Sequence, residues 1–399
     1  MKGIKDKVAI IGMGCTKFGE NWDMSFDDLI IDAVYEAYED AGIGPDDIDA
    51  VWMGSYWSNL PAPSQPLATT LKLDYKPITR LENMCATASD ALRNAVYGVA
   101  SGACDIALAV GGEKLKDSGY SGLPTDDLAM GLVSTGPNTF RSRNFTAPSH
   151  FAMMATRYFE RYGLSPEQGR EMLAKIMVKN HNNGMLSPKA HFRMPITVDQ
   201  VLNAPMIAWP LGLFDCCGVS DGAAAAIVVR ADMAKSFRPD PVKIKACQIA
   251  VGPSEGYLNP NHDWTMVKET WVAGQKAYEE AGIKDPRAEI SMAEVHDCFS
   301  ITEGVIYEDL GFSTRGGMGA DIEAGTFELD GDLPVNMDGG LKCFGHPIGA
   351  TGLRMTYELY KQLQEKAGDR QVKNPDLGLS HNLGGTPGGC TISVNIIGH

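Results

Sequence analysis

The chain has 399 residues, 44% of them hydrophobic and 21% charged, a composition typical of a globular protein with a large buried core. A formal net charge of −15 argues against nucleic-acid binding, which needs a basic face, although a local basic cluster can still hold an anionic small molecule. Since no apolar run reaches the ~18 residues of a membrane helix and the N-terminus lacks signal-peptide features, we expect a cytoplasmic protein.

The nine cysteines are scattered along the chain and form no CxxC pair. That pattern differs from a disulfide framework and from a zinc knuckle. Cys343 and His346 have the spacing of metal ligands, but no second pair accompanies them. We therefore expect free thiols and no bound metal.

The first part of the chain alternates short apolar strands with helical patterns. Strands are predicted at 8–13, 48–53, 78–83, 105–110 and 223–229. A helix is predicted before the second of them, because the apolar residues from Leu29 to Ala41 recur on one helical face. Ser25 and Asp28 form a capping-box start, and Gly42 fits the helix end. Alternation of this kind indicates an α/β fold whose parallel or mixed sheet is covered on both faces.

Residues 116–215 break this alternation. They are rich in Met, Pro and Asn and contain helical patterns at 149–162 and 167–181. We interpret them as a long insertion between two strands of the first half, and insertions of this size are usually functional.

The second part of the chain repeats the organisation of the first. The segment AYEDAGI at 37–43 recurs as AYEEAGI at 277–283, 240 residues later, and in both copies a glycine closes a helix that leads to a strand. The later strands are predicted at 242–251, 290–295, 376–381 and 390–397. Two similar halves, each containing a βαβ unit, are the simplest interpretation.

Cys85 is the first candidate catalytic residue. In ENMCATASDAL, residues 82–92, it follows a predicted strand and precedes an alanine-rich helix. A thiol at a helix N-terminus faces unpaired N–H groups and the positive end of the helix dipole, so its pKa should fall, and the same N–H groups can bind an oxyanion. A buried structural cysteine is the alternative at such a position.

Three histidines and a second cysteine lie at the ends of other predicted elements. His346 in GHPIGATG is surrounded by small residues that let the backbone approach a ligand. His296 and Cys298 in EVHDCFS end an apolar strand and leave it on the same side, and His381 in SHNLGG ends another strand beside glycines. Each could be an ordinary turn residue, but together with Cys85 they favour a thiolate nucleophile surrounded by bases and hydrogen-bond donors.

Two other motifs do not predict function. GMGCTKFG at 12–19 has the wrong glycine spacing for a dinucleotide loop, and no helix opens there. GVSDG at 218–222 matches a nucleophile elbow, but the strand-like AAAAIVV follows Ser220 where that turn requires a helix. We therefore predict neither nucleotide binding nor a serine nucleophile.

Taken together, these segments resemble the thiolase superfamily. Cys85 in NMCATAS matches its nucleophile loop, and HDCF, GHPIGATG and SDGAAAA match further family segments in order and approximate spacing, nearly from end to end. HDCF together with HNLGG at 381–385 is similar to the sterol-carrier-protein-like branch, whose acid/base cysteine lies in HDCF. The resemblance therefore favours Cys298 over Cys390, which begins the last predicted strand.

The resemblance implies a five-layered α-β-α-β-α thiolase fold. Residues 1–115 with 216–235 would form one half and 240–399 the other, and the insertion at 116–215 would be the loop domain that holds coenzyme A and shapes the acyl pocket. Members of the family usually form homodimers, and bacterial and archaeal members of this branch often work with a small zinc-ribbon/OB-fold protein. We expect both kinds of partner here.

The chemistry that the resemblance implies is thiolytic cleavage of a 3-oxoacyl-CoA. The thiolate of Cys85 would attack the 3-keto carbon, His346 would take the thiol proton, and His296 would fix the site of the thioester oxygen through a water. Cys298 would protonate the departing enolate and then deprotonate free CoA. Backbone N–H groups of Cys85 and of the 383–385 loop would stabilise the oxyanion. Coenzyme A would be a substrate, with no permanently bound cofactor.

The substrate and two alternative functions stay open. Met and aromatic side chains of the insertion fit a bulky, aromatic acyl group, as in benzoylsuccinyl-CoA; they are Phe140, Phe145, Phe151, Met153, Met154 and Tyr158. A ketoacyl synthase is one alternative, disfavoured because decarboxylative condensation needs no acid/base cysteine. A non-catalytic thiolase-like CoA-binding subunit is the other, disfavoured because the candidate residues are intact.

Overall fold

A computed structural model describes residues 3–57, 64–116, 118, 146–253, 256 and 259–399. The strands are β1 (Val8–Cys15), β2 (Ala50–Gly54), β3 (Ile78–Leu81), β4 (Ile106–Glu113), β5 (Met206–Ala208), β6 (Leu211–Gly212), β7 (Gly222–Arg230), β8 (Val242–Val251), β9 (Met292–Val295), β10 (Leu377–Thr386) and β11 (Gly389–Gly398). The helices are α1 (Phe26–Ala41), α2 (Ser64–Leu71), α3 (Thr87–Ala100), α4 (Ala147–Arg161), α5 (Pro166–Leu186), α6 (Val198–Leu202), α7 (Lys268–Ala281), α8 (Pro286–Glu289), α9 (Ser300–Asp309), α10 (Met318–Glu323), α11 (Gly340–Cys343) and α12 (Thr351–Leu363). Each strand predicted from the sequence is present, and β10 differs most, because it continues to Thr386.

One mixed sheet of nine strands, in the order β3-β2-β4-β7-β1-β8-β11-β10-β9, runs through the described part of the chain. Its two halves meet at a seam between β1 and β8, where Ala9 pairs with Lys243 and Ile10 with Val242. Outward from the seam, each half has two antiparallel pairings followed by a parallel one, and in the first half a second parallel pairing, of β2 with β3, forms the edge. The α/β class is confirmed, and the repeated strand order agrees with the repeat seen in the sequence.

Helices α3 and α12 lie against each other between the two halves of the sheet. Helix α3 packs mainly on β4 and β2, α12 packs on β10 and β9, and each also touches the opposite half. Ala88, Ala91 and Ala95 of α3 are fully buried, so small side chains let this helix fit between two layers of strands. Helix α1 covers the outer face of the first half and α7 that of the second. This is the order of five layers that the resemblance to the thiolase superfamily implies.

The repeated segment ends both outer helices in the same way. Gly42 after α1 has φ of 70° and its N–H donates to the carbonyl of Tyr38 at 2.8 Å. Gly282 after α7 has φ of 80° and its N–H donates to the carbonyl of Tyr278 at 2.7 Å. Both glycines therefore close their helices in the left-handed conformation that the sequence pattern predicts.

Gly42→Ala is expected to lower the free energy of unfolding by about 1 kcal/mol. The cost is conformational, since the left-handed region costs an L-residue ~1–2 kcal/mol and no atom lies within 4 Å of the added Cβ. Gly44→Ala is the matched control, because its φ is −130° and its surroundings are also open. Denaturant titration followed by circular dichroism would measure both, and equal stability of the two variants would contradict the prediction.

The insertion contains the two predicted helices, as α4 and the longer α5, and the small hairpin β5–β6. Met154 and Tyr158 of α4 are buried in the core, and the ring of Phe151 stacks on Phe299 with centroids 4.5 Å apart. Phe140 and Phe145 lie outside the described residues. None of the helices that the structure describes is both long enough and apolar enough to cross a bilayer.

Candidate active site

Cys85 lies in the turn between β3 and α3. The N–H of Asn83 donates to Oγ1 of Thr87 at 2.8 Å, and its side-chain amide donates to Asp90 at 2.7 Å. Met84, directly before the thiol, has φ of 50°, a left-handed conformation that non-glycine residues rarely adopt. The turn thus holds a partly exposed Cys85 at the start of a central helix.

His346 faces the thiol of Cys85. Its Nε2 lies 3.2 Å from Sγ of Cys85, and its Nδ1 lies 2.8 Å from Oγ1 of Thr351. Because the Thr351 hydroxyl donates to the carbonyl of Pro347 at 2.9 Å, its oxygen accepts the hydrogen on Nδ1 of His346. This arrangement assigns the tautomer in which Nε2 carries no hydrogen and can accept the thiol proton.

His296 lies beside this pair. Its ring centroid is 5.2 Å from that of His346, with the rings at 87°, and its Nδ1 is 3.4 Å from the amide nitrogen of Asn382. The sulfur of Cys85 and one ring nitrogen from each histidine lie within 4.8 Å of one another. Zinc binds thiolate and imidazole ligands. Within the described ranges, Cys85, His296 and His346 are therefore a group that could hold a metal ion.

The structure does not bring His381 to this cluster. Its Nε2 lies 2.9 Å from Oγ1 of Thr270 on α7, in the outer layer. His381 pairs in register with Val295, so its side chain shares the face of Val295 and points away from His296, the next residue. The next residue along β10 is Asn382, and its side chain points to the opposite face and reaches the cluster. The predicted site residue, His381, is therefore adjacent along the strand to Asn382, the residue that contacts His296.

Cys298 lies closer to the cluster than Cys390. Burial raises the pKa of the Cys298 thiol, and the neighbouring thiols of Cys217 and Cys85 raise it further. Its sulfur is 3.8 Å from Oγ1 of Thr302 on α9. The Cys390 thiol is instead hydrogen-bonded to Glu269 on α7. The two candidate acid/base cysteines thus have different neighbours, and only Cys298 has Cys85 among those that shift its pKa.

The strand end after Asn382 packs closely on the turn that carries Cys85. An added Cβ at Gly384 would overlap the carbonyl oxygen of Asn83 and lie 3.1 Å from the backbone nitrogen of Cys85. The N–H of Gly385 donates to the Cys85 sulfur and lowers its pKa. The N–H groups of Gly385 and of Cys85 itself therefore both contact the Cys85 sulfur, and backbone donors of this kind can form an oxyanion site.

Gly384→Ala is expected to lower kcat by up to about 10²-fold while leaving the fold intact, because the added methyl would push the strand end away from the Cys85 turn and misplace the N–H donors. Steady-state kinetics with a melting curve would measure this effect. Gly44→Ala, at an open position far along the chain, controls for the glycine change itself. Unchanged kcat in a stable Gly384→Ala protein would contradict the prediction.

The local expectation of a lowered Cys85 pKa is wrong for this structure. Burial raises the pKa of Cys85 to about 12, and the N–H groups of Gly385 and of Cys85 itself offset only part of that rise. Burial, with the charge of Arg354, lowers the pKa of His346 to about 3. Both shifts favour the neutral forms of the thiol and of the imidazole.

A buried carboxylate that sequence reasoning missed orders the HDCF loop. Asp297, between His296 and Cys298, accepts hydrogen bonds from the backbone N–H of Leu341 at 2.6 Å and of Lys342 at 3.1 Å. The side-chain amide of Asn180 on α5 donates to it at 2.9 Å. Burial raises the pKa of Asp297, with Glu303 adding to the rise. Asp297 thus ties the HDCF loop to the turn before GHPIGATG.

Glu113 is a second buried carboxylate that holds backbone segments near the site. It ends β4, and its buried carboxylate accepts hydrogen bonds from the backbone N–H of Tyr56, Trp57 and Gly349. Burial raises its pKa to about 7. Its one sequence signal was a charged residue at the end of an apolar strand.

Ser220 is buried, and its Oγ lies 2.9 Å from Nδ1 of His191. Strand β7 rather than a helix follows it, as predicted. An added Cβ at Gly345 would lie 2.6 Å from Oγ of Ser220, so this serine supports the GHPIGATG loop from behind.

Two family models cover nearly the whole chain. One described as Thiolase, N-terminal domain matches residues 8–232, and one described as Thiolase C-terminal domain-like matches residues 252–395. Acetyl-CoA acetyltransferase from Methanothermobacter thermautotrophicus is 40% identical over 97% of this chain and 98% of that protein. Sterol carrier protein 2 from Gallus gallus is 33% identical over 95% of this chain and 70% of that protein.

Solved structures share the same architecture. The Ltp2-ChsH2(DUF35) aldolase superposes with a TM-score of 0.83 at 25% identity, covering 99% of this chain and 98% of the other. An SCP2-thiolase like protein type 1 from Mycobacterium smegmatis superposes with a TM-score of 0.74 at 17% identity, covering 98% of this chain and 78% of the other. The second similarity concerns the fold alone. The fold implied by the sequence is confirmed.

Proposed function

Because this chain belongs to the thiolase superfamily, in the branch that includes sterol carrier protein 2, and is an acyltransferase, we propose that it cleaves a 3-oxoacyl-CoA with CoA through an acyl-enzyme on Cys85. The 3.2 Å contact between Nε2 of His346 and the Cys85 sulfur carries this proposal. Thr351 holds the histidine in the tautomer that accepts the thiol proton.

In the first half-reaction, the Cys85 sulfur attacks the 3-keto carbon while His346 takes its proton. The C2–C3 bond then breaks, its electrons form an enolate on the departing thioester, and Cys298 donates a proton to C2. His296, oriented beside Asn382, helps to hold the thioester oxygen. Backbone N–H groups of Cys85 and Gly385 stabilise the oxyanion at C3.

In the second half-reaction, the Cys298 thiolate takes the proton of incoming CoA. The CoA sulfur attacks the acyl group on Cys85, and the released Cys85 thiolate recovers its proton from His346. Coenzyme A is thus a substrate, and the cycle needs no resident cofactor. The neighbourhood of Cys298 supports this role, because Cys85 is among the groups that shift its pKa and is not among those that shift the pKa of Cys390.

We further propose that the acyl group is bulky or aromatic, as in benzoylsuccinyl-CoA, with the insertion at 116–215 as the domain that binds it. The stacked rings of Phe151, from the insertion, and Phe299, the residue after Cys298, support this proposal. We also propose a homodimer and a small zinc-ribbon/OB-fold partner. The DUF35 component in the name of the aldolase of similar structure supports the second part.

A screen of CoA-dependent cleavage over linear, branched and aromatic 3-oxoacyl-CoAs tests the proposal. We expect cleavage that requires both CoA and Cys85, with a higher kcat/KM for bulky acyl groups than for acetoacetyl-CoA. A preference for acetoacetyl-CoA would contradict the substrate proposal alone. Condensation of malonyl-thioesters without thiolysis would instead favour the ketoacyl synthase. Co-expression with a small partner and size-exclusion chromatography would test the assembly.

A further inference from the structure

A cavity of about 510 Å³ opens beside α12, away from its first turn. Its volume lies within the ~300–1,000 Å³ typical of small-molecule sites. Six charged side chains line it: Lys189, Arg193, Lys361, Lys366, Arg370 and Asp369. Tyr357 and Phe344 contribute to the wall.

The charge of this lining is opposite to that of the protein. The whole chain has 35 Lys and Arg against 50 Asp and Glu, whereas the cavity has five cationic side chains against one carboxylate. A cluster of cations in an acidic protein creates a local positive potential that attracts anions.

Two of the cations are fixed by ion pairs behind the wall. Lys189 contacts Glu36 at 2.6 Å, and its Nζ also donates to the hydroxyl of Tyr357 at 3.2 Å. Arg370 contacts the buried Glu358 at 2.9 Å. These pairs hold the two cationic side chains in place but neutralise much of their charge.

The other three cations are less well compensated. Lys361 lies 3.9 Å from Asp40, and Lys366 lies 3.7 Å from Asp240, both longer than a hydrogen bond. Arg193 donates to the carbonyl of Met185 at 3.0 Å, and no carboxylate within the described ranges pairs with it.

The pKa of Lys361 reflects the cationic side chains that lie close to it. Burial lowers the pKa of its ammonium group, the carboxylates of Asp40 and Glu36 oppose that shift, and the charges of Lys366 and Lys189 add to it. A bound anion would relieve the repulsion among these lysines. The cavity therefore has the volume, the charge and the donors of an anion site.

We propose that this cavity binds a multiply phosphorylated small molecule through Arg193, Lys361 and Lys366, at a site separate from Cys85. Arginine and lysine together offer the planar and point-charge donors that phosphate groups accept. Lys361 lies ten residues beyond Thr351, the start of α12, which places it about 15 Å along the helix axis from the turn that carries His346. The phosphates could belong to the nucleotide end of CoA or to an independent metabolite.

Isothermal titration of the full-length protein with tripolyphosphate at low ionic strength tests the proposal. We expect a Kd of about 1 mM or tighter that weakens as salt is added. Arg193→Gln and Lys366→Gln should each weaken binding by about tenfold, the loss of one charged hydrogen bond. Lys175→Gln is the matched control, because this lysine pairs with Glu171 elsewhere on α5 and should leave binding unchanged.

Repeating the titration with saturating CoA distinguishes the two sources. Displacement of tripolyphosphate by CoA would assign the site to the nucleotide end of CoA, and binding that persists would assign it to an independent phosphorylated metabolite. Either result supports the site. The proposal is overturned if tripolyphosphate does not bind, or if both variants bind it as the unaltered protein does while their melting temperatures show that they are folded. Thiolase activity does not enter this test, so its outcome is independent of the proposed function.

Discussion

Cys85→Ser is expected to lower kcat/KM for thiolysis by on the order of 10⁴-fold or more, the scale on which removal of a covalent nucleophile acts. A serine hydroxyl is a far weaker acid and a weaker nucleophile than a thiol, so the transfer of its proton to His346 during attack is much less favourable. The fold should survive, since only one atom changes at a partly exposed position.

Steady-state kinetics and intact-protein mass spectrometry would measure this result. The unaltered protein incubated with a 3-oxoacyl-CoA should carry one acyl group, which peptide analysis should locate on Cys85. Cys104→Ser is the matched control, because this buried thiol follows the C-terminal end of α3, about 20 Å along the helix from Cys85, and should leave activity unchanged. An acyl adduct on any other cysteine would refute the assignment.

Cys298→Ala is expected to lower kcat by about 10²–10⁴-fold, the contribution of a positioned general acid–base group. Without this thiol, the enzyme loses the group that we propose protonates the enolate and deprotonates CoA. Cys390→Ala is the matched control, because that thiol is bonded to Glu269 in the outer layer and should be dispensable.

Exchange of the methyl hydrogens of acetyl-CoA in deuterium oxide separates an acid/base role from a structural one. That exchange requires proton transfer at C2 but no carbon–carbon bond cleavage. We expect Cys298→Ala to abolish it and Cys390→Ala to retain it. If Cys390→Ala were the impaired variant and Cys298→Ala remained active, the two assignments would be reversed.

Local sequence patterns predicted the elements and several of their ends. The alternation of apolar runs gave each strand of the main sheet, and the recurrence of AYEDAGI as AYEEAGI predicted the matching left-handed caps at Gly42 and Gly282. These features depend on neighbours within a few residues, so periodicity and turn chemistry were sufficient.

The contacts that organise the site could not be derived in this way. Asp297 and Glu113 bind backbone N–H groups from loops distant in sequence, and no periodicity identifies such partners. His381 illustrates a different difficulty. The sequence alone does not show which face of β10 points toward Cys85, and successive side chains alternate between the two faces. His381 was therefore predicted for the site, whereas its neighbour Asn382 is the residue that contacts His296. The pKa of Cys85 depends on burial as well as on the helix end, and only the tertiary structure shows that burial dominates.

The seam between β1 and β8 has a consequence for how the chain folds. Each half has its own strands and helices, yet the contact between Cys85 and His346 joins residues 261 positions apart. Contacts of such long sequence separation require the closure of a large loop and form late. During refolding from denaturant, the helical circular dichroism signal should therefore recover before enzymatic turnover. The delay between the two signals would report the rate at which the preformed halves dock.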